Sequence, residues 1–272
     1  MERQKAWKAL VVLAVLLAVL GWGVEQVRSQ DDGPPIERFM TWWRPCAASQ
    51  RPALPADVRR RVAEVAKAYL APTQEDAQAV ATRLNFTPAA HPSNMCAPLA
   101  VAILRDAGLV QAGMDLSAYW LLDPRRQEYL LYHLFPPERF CYRHFSQPPF
   151  LVDFREFPLH VGDFLYLYAG HWGTFEHVLV VTRVDAQGRA YAVTNLNLAP
   201  EGYYVVREVL LYDPNHPEEG MFAQWADYHY AAIGLTGLGG FDLWRPLSLA
   251  VDCTVSGGKA MPRFQGSLPT PY

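Results

Sequence analysis

Cys96 opens an apolar run, His91-Pro92-Ser93-Asn94-Met95-Cys96-Ala97-Pro98-Leu99-Ala100, that continues through Leu104 and closes at Gly108. Polar, turn-forming residues come first and helix-patterned residues follow. A thiol at a helix start feels unpaired N–H groups and the positive end of the helix dipole, both of which favour the thiolate. That makes Cys96 a candidate nucleophile. A thiol nucleophile needs a base, and the base needs a residue that orients it. His177 opens the apolar run His177-Val178-Leu179-Val180-Val181 and is the expected base. Asn195, or Asn197, in Val193-Thr194-Asn195-Leu196-Asn197 is the expected orienter. Asn94, His91 and the Cys96 backbone N–H are the expected donors to a developing oxyanion.

Each residue also has an ordinary reading. A cysteine before an apolar helix is commonly a buried structural residue, and asparagines are common at turns and strand edges. The catalytic reading rests on their joint order. A metal is not expected: His171 and Glu176-His177 miss the His-x-x-Glu-His spacing, and their segment does not read as a helix. No cofactor is expected either, because the glycines in residues 234–240 do not lead from a strand into a capped helix.

These residues need a frame. Apolar residues Val58, Val62, Val65, Ala66, Tyr69 and Leu70 recur at helical spacing over residues 57–70, with Asp57 as cap. A second helix starts at Thr73, where Thr73-Gln74-Glu75-Asp76 has the form of a capping box. The third is the Cys96 helix, with Ser93 or Asn94 as cap and Gly108 past its end. A fourth helical stretch starts at Asp123-Pro124. Strand-like runs follow at 164–168, 177–184, 190–194 and 203–212, the middle two joined by the turn Asp185-Ala186-Gln187-Gly188-Arg189. Helices first and an antiparallel sheet second is the α+β pattern. In the hairpin, Asn195 and Asn197 fall near His177 across neighbouring strands.

This order of parts resembles papain-like cysteine peptidases in the broad sense. The likeness is to bacterial peptidases of double-glycine specificity that remove leader peptides, and to NlpC-type cell-wall peptidases. It rests on Asn94-Met95-Cys96-Ala97-Pro98, on Glu176-His177-Val178-Leu179-Val180 and on Val193-Thr194-Asn195. Gly162-Asp163-Phe164-Leu165-Tyr166 also resembles the Gly-Asp strand start of the NlpC type. The resemblance implies a Cys-His-Asn hydrolase made of Cys96, His177 and Asn195. It departs from the pattern in two places. Cys96-Ala97-Pro98 replaces Cys-Gly-Pro, and no Gln precedes the cysteine to serve the oxyanion.

The chain has 272 residues with 24 Lys and Arg against 27 Asp and Glu. Without a basic stripe, no nucleic-acid partner is expected. Arg3, Lys5 and Lys8 precede an apolar run over residues 9–24. This predicts a single transmembrane signal anchor within 1–27, with the body on the extracytoplasmic side. A cleaved signal peptide is the competing reading. Residues 28–37 read as a linker, 38–260 as the α+β domain and 261–272 as a tail. Export would place Cys46, Cys96, Cys141 and Cys253 in an oxidising compartment. With Cys96 free, one bridge at most forms among the other three, and the pairing stays open. The expectation is a membrane-anchored hydrolase acting on a peptide or peptidoglycan-type substrate. The alternative is an inactive module of the same fold that binds peptide or glycan.

Overall fold

The computed structural model describes residues 42–48, 54–85, 90–169, 176–198, 202–225 and 236–247. Helix α1 (Ala56–Lys67) buries Val58, Val62 and Ala66 on one face. Its N-cap is Pro55, so Asp57 lies inside the first turn, where its charge complements the helix dipole, and is not the cap. Helix α2 (Gln74–Asn85) is capped as the sequence suggests: the Asp76 N–H donates to Thr73 Oγ1 at 3.1 Å. Helix α3 (Cys96–Asp106) is buried from Ala97 to Leu104, because it packs between the other helices and the sheet. Gly108 takes φ +76°, and the N–H groups of Gly108 and Leu109 reach the carbonyls of Arg105 and Leu104 at 2.9 Å each. That is a Schellman stop, whose left-handed position favours glycine.

Two helix expectations are corrected. Met95 is the N-cap position of α3, without a side-chain cap. Ser93 and Asn94 instead belong to the 3₁₀ turn Pro92–Asn94, whose first N–H is taken by the His91 ring. The fourth helix, α4 (Glu128–Leu134), starts later than Asp123-Pro124. The Asp123 carbonyl accepts from the N–H groups of Arg126 and Gln127 at 3.0 and 2.9 Å, and the Asp123 N–H donates to Gln127 Oε1 at 2.8 Å, which closes these residues as a turn ahead of α4.

Six antiparallel strands form the sheet: β1 (Phe140–Phe145), β2 (Phe164–Ala169), β3 (His177–Val184), β4 (Ala190–Leu198), β5 (Tyr203–Tyr212) and β6 (Thr236–Pro246). Their order is β1-β6-β2-β3-β4-β5. Helices cover one face, over a core containing Phe164, Tyr166, Val178, Val180, Val193 and Trp244. The opposite face packs Leu165, Leu167, Leu179, Val181, Leu211 and Leu243 against Phe154, Phe222 and Trp225 around the short helix α5 (Met221–Gln224). β1 and β6 were not expected as strands. β6 is buried on both faces, so it lacks the alternation that betrays a half-buried strand. Part of it lies in the glycine-rich stretch 234–240, whose glycines give no strand signal. A Cβ on Gly240 would come within 2.2 Å of the Phe145 carbonyl oxygen, so glycine is what lets β6 lie this close to β1.

The fold-class expectation of a preceding transmembrane helix is corrected. The longest described helices have 12 residues, about 18 Å at 1.5 Å per residue, against about 30 Å of hydrocarbon. Among the described residues, no helix is long and apolar enough to cross a membrane. Residues 9–24, on which that expectation rested, lie outside the described residues, as do the linker, the tail and Cys253. Cys46 and Cys141 form a disulfide across 95 positions, and Cys96 is free.

The Gly162-Asp163 strand start has a structural role. Asp163 is fully buried and receives Arg245 Nε and Nη2 at 2.8 and 2.7 Å, together with the His160 N–H at 2.8 Å. This paired carboxylate ties the start of β2 to the end of β6.

Candidate functional site

Cys96 is half-buried at the N-terminus of α3, on the helix-covered side of the sheet. Burial pushes its thiol above the ordinary range. The backbone N–H groups of Val178, Ala97 and Cys96 oppose this, and the Glu176 carboxylate adds to it. The helix start therefore does not yield an activated thiolate: desolvation outweighs the N–H groups.

His177 lies on the other face. On β2 its cross-strand partner is Leu167, which packs in the second core, and its ring meets Trp225 edge-on at 5.2 Å. Its Nε2 sits 2.9 Å from Thr194 Oγ1. Burial lowers its pKa to about 4, so the imidazole is neutral at neutral pH. Val178, the next residue, faces the helices and packs with Cys96 in the first core. The body of the sheet thus separates the expected nucleophile from the expected base. Among the described residues no hydrogen bond joins them.

Asn195 shares the face of Cys96 but does not orient His177. Its Nδ2 donates to the Pro92 carbonyl at 2.7 Å, which ties β4 to the turn preceding Cys96. Its Oδ1 is buried without a partner among the described residues. Asn197 makes a long contact to the Tyr204 hydroxyl at 3.5 Å. His91 and Asn94 are exposed. His91 Nδ1 lies 2.8 Å from Ser93 Oγ, whose hydroxyl donates to Asn94 Oδ1 at 3.1 Å. These two side chains stabilise the turn through local contacts.

A β-bulge decides which residue meets His177. Near the turn, Arg183 pairs with Tyr191 and Val184 with Ala190. Continued along β3, that register would set Asn197 opposite His177 and turn Asn195 to its face. The register slips by one between Val181 and Arg183, so that Val181 pairs with Ala192. A one-residue slip exchanges the faces of a strand, and Thr194 takes the place expected for Asn195.

The helix-side face carries a polar row that sequence reasoning missed. Asp242 on β6 is fully buried and accepts hydrogen bonds from Tyr142 at 2.6 Å, from His144 Nδ1 at 2.8 Å and from the Tyr168 hydroxyl. Next along the row, the Tyr166 hydroxyl donates to Glu176, and Arg125 Nη2 reaches the same carboxylate at 3.0 Å. The Arg125 guanidinium also covers the Tyr168 ring at 5.3 Å. Burial raises the Glu176 pKa, while Tyr166 and Arg125 pull it down. The buried tyrosines are pushed well above their usual range, chiefly by desolvation. Arg125, Glu176 and His144 are partly exposed, so the row presents both charge signs to solvent. The signal for it was the pair Tyr166 and Tyr168 on alternate positions of β2, with Glu176 just before β3; the partner strand β6 carries no such signal. His144 resembles an oriented base, but it is not a base for Cys96. β1 lies three strand spacings from β3, roughly 14 Å. His171 lies outside the described residues.

For metals, the described residues offer His216, Glu218 and Glu219, whose ligand atoms lie within 4.8 Å of one another, all exposed on a 3₁₀ turn. Exposed acids of this kind are ordinarily solvated. No family model, no curated protein and no solved structure matches this chain.

Proposed function

We propose that this domain is a non-catalytic module that binds peptide segments at the Arg125–Glu176–His144 end of its sheet. One observation carries the reading: the sheet lies between the Cys96 thiol and the His177 imidazole. A thiol hydrolase needs those two groups within hydrogen-bond reach. The polar row supplies what recognition needs: a partly exposed cation paired with a partly exposed carboxylate that the buried Tyr166 holds, and a histidine on the buried Asp242. The tyrosine rings of the row are buried. A glycan would need such rings as open stacking platforms, so a peptide is the better fit. The Cys46–Cys141 disulfide supports an oxidising, extracytoplasmic setting.

The test combines labelling with binding. The protein is incubated with a thiol-reactive amide warhead and a panel of peptide amides, beside Cys96→Ser, His177→Ala and Arg125→Ala. The expected outcome is no amide cleavage, peptide binding that survives Cys96→Ser, and binding weakened by Arg125→Ala. Amide cleavage abolished by both Cys96→Ser and His177→Ala would overturn the reading and restore the hydrolase. Binding of glycans in place of peptides would also overturn it.

A further inference from the structure

A second site lies on another part of the surface. A cavity of about 1050 Å³ opens between α1, residues 155–161 and the β3–β4 turn. Arg59, Arg60, Arg155 and Arg183 converge on it from three separate chain segments, against only Glu156 and Asp185 among the acids. We propose that this cavity binds a phosphate-bearing small molecule.

The existing pairings leave charge to spare. Asp185 is engaged by Arg189 at 2.7 Å, which removes one of the two acids as a competitor. Arg155 and Arg183 each use Nε and Nη2 on a carboxylate, Asp153 and Glu208 respectively. A guanidinium carries five N–H donors, so Arg155 keeps donors to spare, while Arg183 also lies against Tyr191. Arg60 reaches Glu64 only at 3.8 Å, with both side chains largely exposed. Arg59 makes no ion pair among the described residues. Two guanidiniums without strong carboxylate partners, backed by Arg155 with free donors, match a dianion with several acceptor oxygens.

The wall of the cavity adds an independent sign of a missing partner. His160 lines it and is 8% exposed, and its Nδ1 has no hydrogen-bond partner among the described residues. Behind it, Arg245 is fully buried and its Nη1 is likewise unpaired. Both residues are anchored by the same Asp163 carboxylate. Burial lowers the His160 pKa to about 4, helped by Arg245 and Arg59 and opposed by Asp163. The ring is therefore neutral, and in its Nδ1–H tautomer it holds a buried donor that the described residues leave unpaired. Buried polar atoms are nearly always paired in folded proteins. His160 is thus a cavity-wall residue, itself more than nine-tenths buried, that carries an unpaired ring nitrogen.

The experiment is calorimetric titration of the full chain at low ionic strength with inorganic phosphate, glycerol phosphate and acetate, repeated on Arg59→Gln, Arg60→Gln and His160→Ala. Saturable binding of a phosphate compound is expected, with acetate at least about tenfold weaker. Arg59→Gln should weaken binding about tenfold, the loss of one charge-assisted contact. Thermal melting without ligand should be unchanged in Arg59→Gln, because that side chain holds no structural partner. Tighter binding of glycerol phosphate than of phosphate identifies a phosphomonoester as the occupant, and equal binding identifies free phosphate. No saturable binding overturns the proposal. So does equal affinity for acetate, or unchanged affinity in both Arg59→Gln and Arg60→Gln.

Discussion

His177 and Asn195 leave opposite faces of the same sheet, and the bulge between Val181 and Arg183 puts them there. His177 Nε2 meets Thr194 Oγ1 at 2.9 Å, while Asn195 Nδ2 reaches across to the Pro92 carbonyl at 2.7 Å. Adjacent residues of β4 therefore do separate work. Thr194 satisfies a buried imidazole on one face, and Asn195 holds the approach to α3 on the other.

Both contacts can be tested by truncation. Thr194→Val leaves the His177 ring nitrogen unpaired in a buried setting, and Asn195→Ala frees the Pro92 carbonyl. Each should cost about 1–3 kcal/mol of stability, the penalty for an unsatisfied buried polar group. Urea denaturation measures this. A change below 0.5 kcal/mol in either variant, on the order of a neutral surface substitution, would show that the contact is not held in solution.

Acid should destabilise the fold through His177 and His160, whose folded pKa values are both near 4. The unfolded value is near 6.5, so between pH 4 and 6.5 the unfolded chain binds the extra protons. The stability contribution of each ring is present above about pH 6.5 and is lost as pH falls toward 4. The loss is on the order of 3 kcal/mol per histidine. Chemical denaturation across this window should show a smaller pH dependence for His177→Gln than for the parent. Identical slopes would mean that the ring is solvated in the folded state.

The Cys46–Cys141 bridge closes a loop of 95 positions. In the chain-entropy picture a loop of that length is worth about 4–5 kcal/mol. The double variant Cys46→Ser with Cys141→Ser should unfold at clearly lower urea concentration, and reductant should have the same effect on the parent. A parent insensitive to reductant in the unfolded state would contradict the bridge.

Removing one partner of Arg245–Asp163 should be severe. The side chains are 1% and 0% exposed, and breaking a buried pair costs about 3–5 kcal/mol because an uncompensated charge remains. Arg245→Met alone should therefore destabilise more than Arg245→Met combined with Asp163→Leu. Equal losses in the single and double variants would show that the residual charge is not what matters.

Much of the frame was legible from the chain. The 3.6-residue spacing of Val58, Val62 and Ala66, the Thr73 cap and the Gly108 stop are local signals, and local backbone physics satisfies them. Strands β3 and β5 match the expected spans because β-branched and aromatic runs bounded by turns have few other conformations. β6 escaped notice because a strand covered on both sides carries no alternation, and β1 because it is a short edge strand whose run holds Arg143 and His144. The helix expected from Asp123-Pro124 starts only at Glu128, because the Asp123 carbonyl first closes a turn onto the N–H groups of Arg126 and Gln127.

The sequence by itself determined which residues stand at the head of α3 and at the mouth of β3. Only the tertiary structure decided which way their side chains point. Strand facing has a period of two residues, so a single inserted residue reverses it, and Thr182 is the extra residue on β3 between the paired Val181 and Arg183. No propensity or spacing in the chain announces that insertion, because it arises from the fit of the whole hairpin to both cores. The polar row on Asp242 and the arginine cavity share that origin. Each gathers residues from three or more distant segments, which only packing brings together.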